Sequence, residues 1–155
     1  MPESIAVEGL DELRRSLKIA GGIEATREFK TAGYAAAAEV VIPRAKARAA
    51  GLGKMQAKAA DTLRPANTVT GGAVRFGRGF PASMGAEFGA QRNQPRGTVG
   101  KRRMTGWNQF EPWKGNGIEA GYFVWPTIRD DAAAITARFN AGLSPLLQRL
   151  FPQNY

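Results

Sequence analysis

Residues 68–76, Thr68-Val69-Thr70-Gly71-Gly72-Ala73-Val74-Arg75-Phe76, decide the fold class. A β-branched run, two glycines and an alternating run predict a β-hairpin whose turn at Gly71-Gly72 uses positive φ. Alternation sets Val74 and Phe76 toward the core and Ala73 and Arg75 away from it. Helical periodicity dominates on both sides of this stretch. One small hairpin among helices therefore turns an all-helical reading into an α+β one.

Working outward toward the N-terminus, residues 23–50 carry a long helical pattern in which Phe29, Gly33, Ala36 and Val40 share a face. The run Ala35-Ala36-Ala37-Ala38 has the highest helix propensity, and its small side chains allow a second helix to approach closely. Pro43 removes a backbone donor and crowds the preceding turn, so a kink or split is expected there. Gly51-Leu52-Gly53 should stop this helix, and a short one is expected at 54–63, closed by Pro65. Nearer the start, Leu10, Leu13 and Leu17 form one apolar stripe on a short helix over 8–20. Asp11 and Glu12 suit its first turn, and Gly21-Gly22 should end it.

On the C-terminal side, residues 90–120 have almost no apolar periodicity. They hold Arg92, Arg96, Lys101, Arg102 and Arg103 among Gly, Pro, Asn and Gln, with Trp107, Phe110 and Trp113 toward the far end. A long exposed basic loop is the expectation, and loops of this length usually carry function or stay disordered. Tyr122-Phe123-Val124-Trp125 reads as a short buried strand closed by Pro126. Ile128, Ala132, Ile135, Phe139, Leu143, Leu146 and Leu150 then line one face of a closing helix, with Asp130-Asp131 in its first turn and Pro145 expected to interrupt its last third. The expected architecture is a single α+β domain over 1–155. A small antiparallel sheet packs against a long helix of the N-terminal half and a C-terminal helix, and a long basic loop extends at about 90–120.

Composition narrows the chemistry. The chain has 155 residues, 22 Lys and Arg, 13 Asp and Glu, no His and no Cys. Without histidine the commonest general base and metal ligand are missing; without cysteine there are no disulfides or thiolate sites. Of the net +9, the stretch from Arg44 to Arg103 holds thirteen bases against two acids, Asp61 and Glu87, so it carries +11 and the remainder −2. Such a middle is either a solvated, solubilising surface or a contact for an acidic neighbour, DNA phosphate or protein carboxylates. Trp107 and Trp113 beside Lys101, Arg102 and Arg103 could stack on bases, yet no helix-turn-helix, zinc finger or RNA-binding strand signature accompanies them, and Trp with Arg anchors protein interfaces equally well.

Other motifs fail on inspection. Gly51-Leu52-Gly53-Lys54 lacks the earlier glycine and the following Ser or Thr of a phosphate loop, and Gly77 with Gly79 does not open a dinucleotide fingerprint. The acid pairs Asp11-Glu12 and Asp130-Asp131 are accounted for by helix starts rather than by paired-carboxylate catalysis. No stretch reaches the roughly 20 apolar residues of a membrane span, and Met1-Pro2-Glu3-Ser4 lacks the features of a signal peptide. A chain used inside a cell, or built into a particle there, is expected, with no cofactor and no catalytic centre.

Four pieces in this order resemble the neck and tail-completion protein family of long-tailed phages. Ile5-Ala6-Val7-Glu8-Gly9-Leu10-Asp11-Glu12-Leu13 is similar to the family's opening strand, Gly-Leu and amphipathic helix. The Ala-rich helix reaching Ile42-Pro43-Arg44-Ala45-Lys46 is similar to its long helix. Ala82-Ser83-Met84-Gly85-Ala86-Glu87-Phe88-Gly89 looks like its Glu-Phe-Gly element, and Phe123-Val124-Trp125-Pro126-Thr127-Ile128 like its Phe-x-x-Pro step into the closing helix. The chain departs by lacking a Pro-x-x-Thr-Gly-x-Leu segment over 51–62 and by a longer insert over 91–117.

The resemblance implies a non-enzymatic virion protein at the head–tail junction, assembled in the host cytoplasm. It would form a cyclic homo-oligomer, sixfold to match a tail tube, that completes the tail and joins it to the head around the DNA channel. Head-closure or connector proteins and tail-tube or tail-terminator proteins would be its neighbours, with non-specific contact to genomic DNA and none to membrane. A tail terminator proper, or a basic nucleic-acid-binding module, is the alternative. It implies structural roles for Glu87, Phe88, Gly89, Phe123 and Pro126: Phe88 in the core, Gly89 in a turn without room for a Cβ, and Glu87 paired to a basic group of its own or a neighbouring chain. Arg92, Arg96, Lys101, Arg102, Arg103, Trp107 and Trp113 are the residues expected to face a partner or DNA.

Overall fold

Leu13 and Leu17, four residues apart, start the apolar stripe that packs the first helix onto the last. The computed structural model describes residues 10–68, 71–91, 95–99, 102–105 and 109–152. Helix α1 (Leu10–Ala36) does not stop at the glycine pair but breaks there: Gly22 takes φ 62°, ψ −143°, and helix resumes beyond it. Ala25, Phe29 and Ala32 continue the buried face. Ahead of Pro43 the chain widens into a single π-turn (Ala37–Val41), in which the Ile42 N–H donates to the Ala37 carbonyl, five residues back. The π-turn is the physical form of the expected kink. A proline cannot donate to the carbonyl four residues back and crowds it, and a widened turn relieves both. Helix α2 (Ile42–Leu52) follows, and α3 (Lys54–Ala60) is offset from it at Gly53.

Strands β1 (Arg64–Thr68) and β2 (Gly71–Arg75) form the hairpin, antiparallel, with Thr68 opposite Gly71. Its connection is residues 69–70, which lie outside the described residues, so Gly71-Gly72 belong to the strand and not to the turn as expected. Pro65, expected to close a helix, lies in β1 instead. Val74 and Phe76 do face the core, and Phe76 meets Phe123 edge to face with centroids 5.7 Å apart.

Helix α4 (Ser83–Phe88) follows. The expected loop over 90–120 contains a second antiparallel hairpin, β3 (Pro95–Val99) with β4 (Arg102–Thr105), irregular between Pro95 and Thr98. Its polar, glycine- and arginine-rich strands offer no alternation to read, because a two-stranded ribbon can form on backbone pairing alone.

The strand expected at 122–125 is instead the start of helix α5 (Val124–Asp130), and α6 (Ala132–Leu150) runs on after a break at Asp131. Asp130 and Asp131 therefore end one helix and precede the next rather than filling a first turn. Asp131 makes no side-chain cap; it binds Arg44 at 2.5 Å, and Asp130 binds Arg48 at 3.1 Å. These pairs tie α5 to α2. Pro145 does not interrupt α6; Leu143 and Leu146, both fully buried, hold the helix on either side of it.

The core has two parts. Leu17, Ala25, Phe29, Ala32, Leu143 and Leu146 join α1 to α6, with Phe29 and Phe139 edge to face at 5.2 Å. Ile42, Ala45, Ala49, Ala59, Ala60, Leu63, Ala86 and Phe123 join α2, α3, α4 and the start of α5. The β1–β2 hairpin lies on α1. The fold is α+β, mostly helical, with a small antiparallel sheet and a closing helix.

Candidate functional site

Glu87 is the one acidic side chain of the second core, 1% exposed at the end of α4. Its carboxylate reaches across to the start of α5. Oε2 accepts the N–H groups of Phe123 (3.1 Å) and Val124 (3.0 Å), and Oε1 accepts that of Trp125 (2.9 Å). A helix begins with four N–H groups that have no partner in its own turns. Here three are taken by Glu87, and the fourth position is Pro126, which has none. Negative charge at this end is also favoured by the helix dipole. The local run Tyr122-Phe123-Val124-Trp125 favours a strand, and a carboxylate 36 residues upstream overrides it.

The surrounding backbone is shaped to the carboxylate. Gly121 has φ 81°, and a Cβ there would lie 2.3 Å from Glu87 Oε1. Gly89 has φ 74° and ends α4, where a Cβ would lie 2.1 Å from the Pro112 carbonyl oxygen, which bears out the expected turn. Residues 110–114 run along the end of α4: the Ala90 N–H donates to the Glu111 carbonyl and the Lys114 N–H to the Phe88 carbonyl. The Tyr122 hydroxyl donates to the Pro112 carbonyl at 2.7 Å, closing the segment back on itself. Burial pushes the Glu87 carboxyl above its ordinary range, and the N–H donors of Trp125, Val124 and Phe123 pull it part of the way back.

Two expectations for the motif residues change. Glu87 pairs with backbone donors, not with a basic group, because the helix start supplies the positive end that a guanidinium would have supplied. Phe88 is half-buried against Trp113, ring centroids 6.5 Å apart, and lies outside both core clusters. Trp113 is 49% exposed, lies against Phe88 and covers Gly115, so it belongs to the wall around the clasp. Phe123 is fully buried, and Pro126 is buried in the first turn of α5. Sequence reading missed Gly121 and Tyr122 as partners of Glu87; Pro126 at the third position of a helix was the available signal, since a first turn tolerates proline.

The basic residues are dispersed. Arg44 and Arg48 are engaged with Asp131 and Asp130, Lys46 lies 3.8 Å from Asp61, and Arg64 donates to the carbonyls of Asp61 and Leu63. Arg96 falls in β3 and Arg102 and Arg103 in β4, with Thr98 opposite Arg103 and Val99 opposite Arg102. Arg92, Lys101 and Trp107 lie outside the described residues. Among the described residues no three His, Cys, Asp or Glu side chains stand together to hold a metal ion, and no helix is long and apolar enough to cross a membrane. Two hollows of about 160 and 260 Å³ flank α1; the smaller is lined by Glu28, Ala32 and Arg138 and the larger by Lys18, Ile23, Thr26, Arg27 and Lys30. Compared with models of protein families, with curated proteins and with solved structures, the chain shows no match.

Proposed function

We propose that this chain is a structural subunit of the neck of a long-tailed phage, a ring component that completes the tail and joins it to the head around the DNA channel. The supporting observation is that the third and fourth pieces of the family resemblance meet in space. The Glu-Phe-Gly element supplies the carboxylate, and the Phe-Val-Trp-Pro step supplies the N–H groups it holds. A glutamate and a proline 39 residues apart in sequence thus serve one structural purpose, which is reason enough for both to stand in one motif set.

The buried carboxylate has the geometry of a fastener: both of its oxygens are occupied by backbone donors. What it fastens is the start of α5, while backbone bonds between Ala90 and Glu111 and between Lys114 and Phe88 set residues 111–114 against the end of α4. Rigid surface segments on a small domain suit a role made of contacts with neighbouring rings.

The expected result of imaging the purified chain with tail tubes is a ring capping one end of each tube. Tubes left bare at every ratio of chain to tube would overturn the proposal.

A further inference from the structure

Three isoleucines stand almost fully in solvent: Ile19 and Ile23, 87% and 88% exposed, on either side of the α1 break, and Ile118, 87% exposed, in the segment before α5. Scattered exposed apolar residues are ordinary, but these occupy two sites at opposite ends of α6, one among cations and one beside the exposed carboxylate of Glu119.

The first site is the groove of about 260 Å³ lined by Lys18, Ile23, Thr26, Arg27 and Lys30. The acids next to it on the same helix turn elsewhere: Glu28 is held by Arg149 at 2.6 Å, and Glu24 acts on the same guanidinium. The groove is therefore lined by one exposed isoleucine and a threonine among three cations. It lies beside the C-terminal end of α6, since a Cβ at Gly21 would come within 3.0 Å of Leu150.

The second site is a knob. The Ile118 carbonyl accepts a 2.5 Å bond from Arg129, the Gly121 N–H donates to the Lys114 carbonyl, and the Ala120 N–H donates to the Gly117 carbonyl. These bonds fix the backbone that presents Ile118, with the exposed carboxylate of Glu119 next to it. Of the nearby cations, Arg129 is engaged by the Ile118 carbonyl and by Asp130 at 3.4 Å, and Lys114 sits over the Tyr122 ring at 5.4 Å. Arg129, which holds the knob, lies just before α6, so knob and groove are separated by about 28 Å of helix at 1.5 Å per residue. One chain cannot bring them together. A second copy can.

We infer that copies of this chain join head to tail, with Ile118 and Glu119 of one seated in the Lys18, Ile23, Arg27 and Lys30 groove of the next. The inference rests on the ring-subunit reading and gives that ring its contact. Two different patches make the contact heterologous, and repeating a heterologous contact closes a ring when the rotation allows. The isoleucine supplies burial at the centre, and the glutamate meets the cations of the groove, which sets register and partner choice.

The test uses the full chain and light scattering over a concentration series. Wild type is expected to associate. Ile118→Asp, and separately Lys18→Glu with Arg27→Glu, are each expected to weaken association about ten- to a hundredfold, with the helical circular-dichroism signal unchanged. Mixed together, the two variants retain one good knob and one good groove between them, so they should form a species that stops at two chains. Lys18→Glu, Arg27→Glu and Glu119→Lys combined in one chain should recover association.

A wild-type chain that stays monomeric throughout, or variants that associate as wild type does, overturns the contact. If tubes are nevertheless capped, the ring reading stands with another interface. If rings form through this contact yet leave tubes bare, the contact stands and the neck reading falls.

Discussion

Glu87→Ala is expected to remove about 3 kcal/mol of folding stability at neutral pH, measured by chemical denaturation, and to lower the thermal midpoint by about 10 °C. The substitution leaves the N–H groups of Phe123, Val124 and Trp125 without an acceptor. Each buried donor stranded in this way costs about 1–3 kcal/mol. The total falls short of three times that because the substitution also removes a buried charge, and water can enter the space left. Glu87→Gln should cost less, about 1–2 kcal/mol, since its carbonyl oxygen serves one side of the clasp while its amide donors oppose the other. The pH dependence has a definite sign. The folded chain raises the Glu87 carboxyl above 4.5, so the native state holds this proton more tightly than the unfolded one. Its contribution is fully present below the unfolded value and is lost as pH rises through the raised one. The stability difference between wild type and Glu87→Gln should therefore shrink from pH 4.5 upward. A difference that grew with pH would mean that the three N–H groups outweigh burial. No loss on Glu87→Ala would mean that α5 starts without the clasp.

The clasp also shows which parts of the fold can be read locally. Helices α1, α2 and α6 follow from spacings of three and four, because their buried stripes are repeated over several turns: Leu17, Ala25, Phe29 and Ala32 in one, Leu143 and Leu146 in another. A hairpin near 68–76 is legible from β-branched and alternating residues, but its register is not: β1 is Arg64–Thr68, and the β-branched run reaches only its last residue. Failures occur where a distant partner decides. Residues 122–125 have strand composition, and they lead instead into a helix at Val124, where a carboxylate 36 residues before Phe123 takes the N–H groups of Phe123, Val124 and Trp125. Asp130 and Asp131 look like a helix start and instead bind Arg44 and Arg48, partners more than 80 residues away. The motif residues Glu87, Gly89, Phe123 and Pro126 could be singled out from the sequence. Their mutual geometry could not, since neither carboxylate nor helix start carries a local sign of the other. The hairpin over 95–105 is a different case: its arginine- and glycine-rich sequence has no apolar alternation, so the pairing of its strands leaves no local sign.

Gly33→Ala is expected to cost about 3 kcal/mol, near the upper end for overpacking a core, because what it meets is backbone. A Cβ at Gly33 would stand 2.4 Å from the Gly72 nitrogen, and one at Gly72 would stand 2.2 Å from the Gly33 carbonyl carbon and oxygen. No rotamer change relieves either clash; α1 and β2 would have to move apart, and with them the Phe29 and Val74 packing on either side. This is why the glycine pair read as a turn lies in a strand: the residues were selected by helix α1 crossing over them, not by a reversal of the chain. The two substitutions share one cause, so they should not add. Once Gly33→Ala has parted the backbones, Gly72→Ala meets an open gap, and the double variant should lose clearly less than the sum of the singles. Gly51 is the control. Nothing lies within 4 Å of a Cβ there, and it sits in helix α2, so Gly51→Ala should be neutral or stabilising by up to about 1 kcal/mol. Additive losses at Gly33 and Gly72 would instead point to separate local effects of each glycine, and the backbone crossing would then not be what places the hairpin on α1.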